Sequence, residues 1–345
     1  MDAVVGVDTH RDTHTAALTD PVGRQLASLV VRANADGYEQ LLAWVSEQAP
    51  GPRLLWAIEG TRSHGAGFFR ALSKTGATVT EVDRPTRRAR RGGKSDAMDA
   101  LLAARSALSA EQVRDPRADG AREAARLLLV ERERAVRHRT AVINQIRDLV
   151  LTAADQLRER LRDRSIAKLV AACQALRPRS TDYLETRTRI QSLQRLARRI
   201  RALNEDIRVI ETDLQNLTSS HVPDLIAEPC VGPVTAAQVW VSWSHPGRIR
   251  SEAAFAALAG ASPLEASSGQ RTRHRLNRGG DRHLNRALHH ITLTRLAIDP
   301  ATRDYVNRRI AQGKTPREAR RCLKRYLARR LWRVLEHQRP PSPTP

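Results

Sequence analysis

Four carboxylates stand where short elements begin or end. Asp8 closes the β-branched run Val4-Val5-Gly6-Val7, and Glu59 closes Leu54-Leu55-Trp56-Ala57-Ile58. Asp96 and Asp99 follow a basic loop and open a helical stretch; three residues apart, they share one helix face. A carboxylate at the edge of a buried sheet is costly unless something positive meets it. A metal ion, or a phosphate held through one, is the usual reason. Converging carboxylates hold Mg²⁺, which stabilises the oxygens of an in-line phosphoryl displacement. Each of the four also has a plainer reading: an Asp can end a strand or cap a turn, and acids in a first turn complement the helix dipole.

A second group could carry nucleophilic chemistry. Ser267-Ser268-Gly269 is a small polar loop ahead of Arg271, Arg273, Arg275 and Arg278. Glycine lets backbone approach a ligand closely, and arginines stabilise developing phosphate charge. A serine hydroxyl is a poor nucleophile until a base or metal activates it. A plain linker has the same composition. The stretch 84–94, with Arg87, Arg88, Arg90, Arg91 and Lys94, reads equally as a solvated loop or as a phosphate-binding loop. From Leu225 to Ala237 the chain reads helix, tight turn, helix. Gly232 there would present backbone N–H groups to a DNA phosphate, as in a helix-hairpin-helix.

The elements that must position these residues follow from periodicity. Residues 1–83 alternate as βββαβαβ, the pattern of a mixed sheet with flanking helices. A helix opens at Ser95, a good N-cap. Residues 119–172 read as one long charged helical stretch and 181–217 as another. In the second, Ile190, Leu193, Leu196, Ile200, Leu203, Ile207, Ile210, Leu214 and Leu217 recur at spacings of three and four, a coiled-coil seam. That seam suits a spacer or dimer arm, or a helical hairpin within the chain. Helices are expected over 251–258, 282–297 and 316–335, and a Pro-rich tail ends the chain. The expected organisation is 1–110, a metal-binding domain; 119–217, a helical arm; 221–337, a C-terminal domain; and 338–345, a tail.

The 345 residues hold 59 Lys/Arg against 37 Asp/Glu, a net charge of +22. Such a charge points to nucleic acid as a partner. The segment 268–333 alone carries 19 basic and four acidic residues. The three cysteines have no CxxC spacing, which argues against a disulfide framework or zinc finger. No apolar run reaches 18 residues and no signal peptide is evident, so a cytoplasmic protein without a membrane span is expected.

Taken together, Gly6 to Thr13, Glu59-Gly60-Thr61, Lys94 to Ala100, Pro229 to Ala237, Leu258 to Pro263 with Ser268-Gly269, and Asn277 to Arg282 resemble the Piv/MooV-type DEDD recombinases. These are transposases of the IS-one-ten group of insertion sequences. The resemblance implies a RuvC-like (RNase H-like) α/β domain, a coiled-coil segment and a helical C-terminal transposase domain. It implies Mg²⁺ held by Asp8, Glu59, Asp96 and Asp99, with Ser268 as nucleophile and Ser267 as its alternative. It also implies donor and target DNA, a bridge RNA that guides the choice of sites, and a dimer or tetramer. A RuvC-like junction endonuclease would use the carboxylates and water alone, and an architectural nucleic-acid-binding protein would need neither. An actin-like ATPase, suggested by Gly6 to Thr9, lacks a later Gly-rich adenosine signature.

Overall fold

The β-branched run near the start of the chain forms β1 (Ala3–Thr9), which is buried along its whole length. A strand covered on both faces reads as a continuous apolar run rather than an alternating one. The structure is a computed structural model and describes residues 1–83, 95–110, 115–265, 274–275, 277 and 279–337. Arg87, Arg88, Arg90, Arg91, Lys94, Ser267, Ser268, Arg271, Arg273 and Arg278 lie outside the described residues. The chain divides into two units, Met1–Ala118 and Asp119–Pro345.

In the first unit β1 is followed by β2 (Thr13–Thr19), β3 (Gln25–Arg32), α1 (Ala35–Gln48), β4 (Leu54–Glu59), α2 (Ala66–Lys74), β5 (Thr78–Val82) and α3 (Asp96–Leu108). The expected βββαβαβ order is what forms. The five strands lie in the order β3-β2-β1-β4-β5. β1 pairs antiparallel with β2 and parallel with β4, so it joins the meander to the parallel half. Alternation along the strands assigns their faces. Val5, Val7, Trp56 and Ile58 pack with Leu41, Val45, Phe68 and Leu72 of α1 and α2. Val4, Leu55 and Ala57 face Ala104 and Ala107 of α3. This is an α/β domain of the RuvC/RNase H-like kind.

Gly6 decides how closely α3 lies on the sheet. A Cβ there would run into the backbone carbonyl of Ala100 and the backbone nitrogen of Ala104. The helix therefore rides directly on β1, with alanines rather than larger side chains at the contact.

The second unit is largely helical: α4 (Ala121–Leu151), α5 (Asp155–Leu161), α6 (Ile166–Ala175), α7 (Leu184–His221), α8 (Pro223–Ile226), α9 (Pro233–Trp243), α10 (Glu252–Leu258), the two-residue strands β6 (Leu264–Glu265) and β7 (His274–Arg275), α11 (Arg282–Ile298), α12 (Pro300–Ala311) and α13 (Pro316–Glu336). Two features differ from expectation. The stretch 119–172 is three helices rather than one, with breaks after Leu151 and Leu161 and Asp163 in the left-handed region at φ 57. α12 was not expected, although Asp299 caps its N-terminus and Pro300 occupies the first turn.

Seam residues Ile190, Leu193, Leu196 and Ile200 of α7 pack with Val142, Ile143 and Ile146 of α4 and with Leu157, Leu169 and Cys173. These seam positions are thus buried by helices of the same chain. Further along α7, Ile210 and Leu214 enter a second core with Trp240, Phe255, Leu284, Leu288, Leu323 and Leu327. Among the described residues no helix is long and apolar enough to cross a membrane.

Candidate metal centre

Asp8 is delivered by the C-terminal end of β1 on the face that carries α3, and it is only 5% exposed. Val4, Gly6 and Asp8 alternate onto that face. Residues 95–99 approach the same face because Gly6 admits the helix. Ser95 caps α3 by accepting from the Met98 N–H, so the helix begins at Asp96. Asp96 is half-exposed and Asp99, one turn on, is buried.

His10 completes the group. Its Nε2 lies 3.3 Å from Asp8 Oδ2 and 3.2 Å from Asp96 Oδ1. One ligand atom from each of Asp8, His10 and Asp96 can be chosen so that all three lie within 4.8 Å of one another. Asp8 Oδ2 and His10 Nε2 are buried and meet each other at 3.3 Å, but neither makes a contact with hydrogen-bond geometry. Buried polar atoms without partners are uncommon and call for an explanation such as an ion. Adjacent ligands of an ion bound at 2.0–2.1 Å stand about 3 Å apart, close to the two distances from His10 Nε2. The residues present therefore fit a divalent cation.

Burial raises the Asp8 carboxyl above its ordinary range; His10 opposes this, and the negative Asp99 and Asp96 reinforce it. A site that crowds negative charge in this way is stabilised by a cation.

Glu59 ends β4, beside β1. Leu55 and Ala57 face α3, so strand alternation carries Glu59 to the same face as Asp8. Thr9 Oγ1 donates to the Glu59 carbonyl oxygen at 2.8 Å, tying the two strand ends together. Gly60 then turns the chain at φ 69, and its carbonyl accepts from the Ser63 and Gly65 N–H groups. The carboxylates of Glu59 and Asp99 share the face but are not in the close trio. The sequence reading missed His10. The signal was present: two residues beyond Asp8 in an extended chain, it shares Asp8's face.

The other expected positions lie in the second unit. Gly232 is the N-cap of α9 at φ −87, with Pro233 at the first helical position. The left-handed residue of that turn is Cys230, at φ 64. The preceding helix, α8, is four residues long. Arg275 is exposed on β7.

Comparison with known proteins places these observations. A DEDD transposase model of the IS110 type matches residues 5–154, and a model described as transposase IS116/IS110/IS902 family matches residues 225–307. The chain is 34% identical over 127 residues to the insertion element IS110 43.6 kDa protein of Streptomyces coelicolor, covering 36% of this chain and 31% of that relative. It is 23% identical over 378 aligned positions to the insertion element IS900 42 kDa protein of Mycobacterium paratuberculosis, covering 96% of this chain and 94% of that relative.

The expectation of a serine-nucleophile recombinase is corrected by these findings. The ligand atoms that converge belong to Asp8, His10 and Asp96, inside the stretch that the DEDD model matches. Acidic and histidine side chains that could hold a metal support nuclease chemistry of the RuvC-like type, which needs no hydroxyl from the chain as nucleophile. The two family matches, over residues 5–154 and 225–307, make this chain a member of the IS110/IS902 DEDD transposase family.

Proposed function

We propose that this chain cuts DNA strands during movement of an insertion element, by metal-dependent phosphodiester hydrolysis. The observation that carries the reading is the convergence of buried Asp8 Oδ2 and His10 Nε2 with Asp96 at the end of β1. Asp8, His10 and Asp96 would hold the divalent cation, with Asp99 and Glu59 on the same face. Magnesium is the expected ion, and the carboxylate ligands suit manganese as well. When bound, such an ion supplies Lewis-acid polarisation of a phosphoryl oxygen and activation of water at neutral pH.

The chain's own residues do the rest. β1 fixes Asp8, and the Thr9–Glu59 bond holds the neighbouring strand end in register. Buried Asp99 adds negative charge behind Asp8. The basic C-terminal unit would hold the DNA through its phosphates.

Asp8→Asn and His10→Ala should each abolish nicking of supercoiled DNA in Mg²⁺ or Mn²⁺, as should EDTA with the parent protein. Products should carry ordinary phosphate and hydroxyl ends without attached protein. Full activity of Asp8→Asn, or a covalent protein–DNA adduct on a denaturing gel, would overturn the hydrolytic reading.

A further inference from the structure

Helices α11 and α13 share a core through Leu284, Leu288, Leu323 and Leu327, and the cations of α13 are sorted along its length. Toward its C-terminal end, Arg329 and Arg333 pair with Glu252, and Arg330 pairs with Glu228. In the first half, Arg320, Arg321, Lys324 and Arg325 form no ion pair among the described residues. Arg320 Nε donates only to the Pro316 carbonyl, at 3.2 Å. The acid nearest in sequence, Glu318, is engaged by the backbone and side chain of Thr315 in the helix cap.

Lys324 is half-buried, and its Nζ donates to Asn285 Oδ1 at 2.8 Å. Asn285 is itself fixed, because its Nδ2 donates to the Ala259 carbonyl at 2.6 Å. That carbonyl belongs to a tight double turn in which Gly260 and Gly280 adopt φ 63 and 92 and the Asp281 N–H donates to Leu258 O at 2.7 Å. His289 lies one turn beyond Asn285 on the same face of α11. Burial lowers its imidazole below the ordinary range, and Lys324, His290 and Arg320 add to the push. Lys324 is likewise lowered by burial first and then by Arg321. Like charges crowded at partial burial destabilise one another, and such arrangements concentrate at functional sites.

We propose that the seam between α11 and α13, formed by Asn285, His289, Arg320 and Lys324, seats a backbone phosphate of duplex DNA. This rests on the reading of the chain as a protein that acts on DNA, and it names the contact. An ammonium has three donors, and Asn285 takes one of those on Lys324, fixing the group in place with the others available. The guanidinium of Arg320 can meet two phosphate oxygens at once. A phosphodiester supplies the negative charge that this seam lacks and that the C-terminal half of α13 obtains from Glu228 and Glu252.

The test measures binding of a fluorescent DNA duplex by the full chain in EDTA, over a range of salt. Each duplex phosphate neutralised contributes about −0.9 to the log–log slope. Lys324→Met should flatten the slope by about that amount and weaken binding at low salt, whereas Lys324→Arg should keep both. Lys74→Met, which removes one exposed charge from α2 in the first unit, should leave the slope as it is. Arg320→Gln supplies a second variant should Lys324→Met lose its helical circular dichroism, and it should flatten the slope in the same way. Unchanged slopes in the folded variants would overturn the seat. So would a loss confined to single-stranded RNA of equal length, with duplex binding intact. Because no divalent ion is present, this outcome is independent of whether the Asp8 centre cuts DNA.

Discussion

His10 and His14 are four residues apart, and the sheet sorts them to opposite faces with opposite consequences. His10 lies with Asp8 and Asp96, where its Nε2 stands within 3.3 Å of both carboxylates. His14 is fully buried on the other face, stacked on Tyr38 with ring centroids 5.7 Å apart and tilted against Phe68. Burial lowers the His14 imidazole below its ordinary range, so the native protein keeps it neutral. The unfolded chain takes up a proton below about pH 6.5, and the native state does so only at lower pH. The stability that His14 contributes is therefore complete above that value and is lost as pH falls through the lowered native pKa. Denaturant midpoints should fall from pH 8 to pH 5 in the parent, and less so in His14→Phe; equal slopes in both would contradict this. The same pair shows what could be read from the chain alone. Carboxylates at strand ends are conspicuous because their charge clashes with the apolar run before them. A histidine just past a strand end carries no such contrast; its alternation with Asp8 is the one sign of it, and α3 then brings Asp96 to it.

At the level of elements, the strand and helix order of the first unit was legible because burial on both faces writes long apolar runs, and Ser95 marks the start of α3. Less legible was the intimacy of α3 with β1, which depends on a missing Cβ at Gly6 and on alanines across from it. A sequence reading that treats Gly6 as one residue in an apolar run does not see that it sets the distance from Asp8 to Asp96. Gly6→Ala should push α3 outward, because the atoms met are helix backbone. Overpacking of this kind costs about 1–3 kcal/mol. The expected outcome is a lower melting temperature together with weaker Mn²⁺ binding, read by calorimetry or by the metal-induced rise in melting temperature. Loss of stability with unchanged Mn²⁺ affinity would mean that α3 does not position the centre. In the second unit, the heptad seam of α7 left open a partner from another chain or from this one. The helices that cover it, α4 to α6, resolve that for Ile190 to Ile200. The breaks after Leu151 and Leu161 were hidden because charged, alanine-rich sequence stays helix-compatible through them.

Across the whole molecule, charge and chemistry are divided between the two units. Residues 1–118 hold 16 Lys/Arg and 14 Asp/Glu, whereas residues 119–345 hold 43 and 23. Nearly all of the +22 net charge therefore belongs to the unit without the Asp8 cluster. Composition alone made nucleic acid the first partner to consider, but it could not say that the surplus and the carboxylates belong to different units. If the second unit holds DNA and the first cuts it, the two activities should separate under mutation. Asp8→Asn removes a carboxylate from the near-neutral unit and leaves the basic unit as it was. In EDTA, its affinity for a DNA duplex and its salt slope should match those of the parent. Both should weaken by about a thousandfold or more between 50 and 200 mM salt where six or more phosphates are engaged. In Mg²⁺ or Mn²⁺ the same variant should fail to nick. A flat salt response in the parent would remove the phosphate-holding role of the second unit, and a parallel loss of binding and nicking in Asp8→Asn would show that the two units do not divide the work.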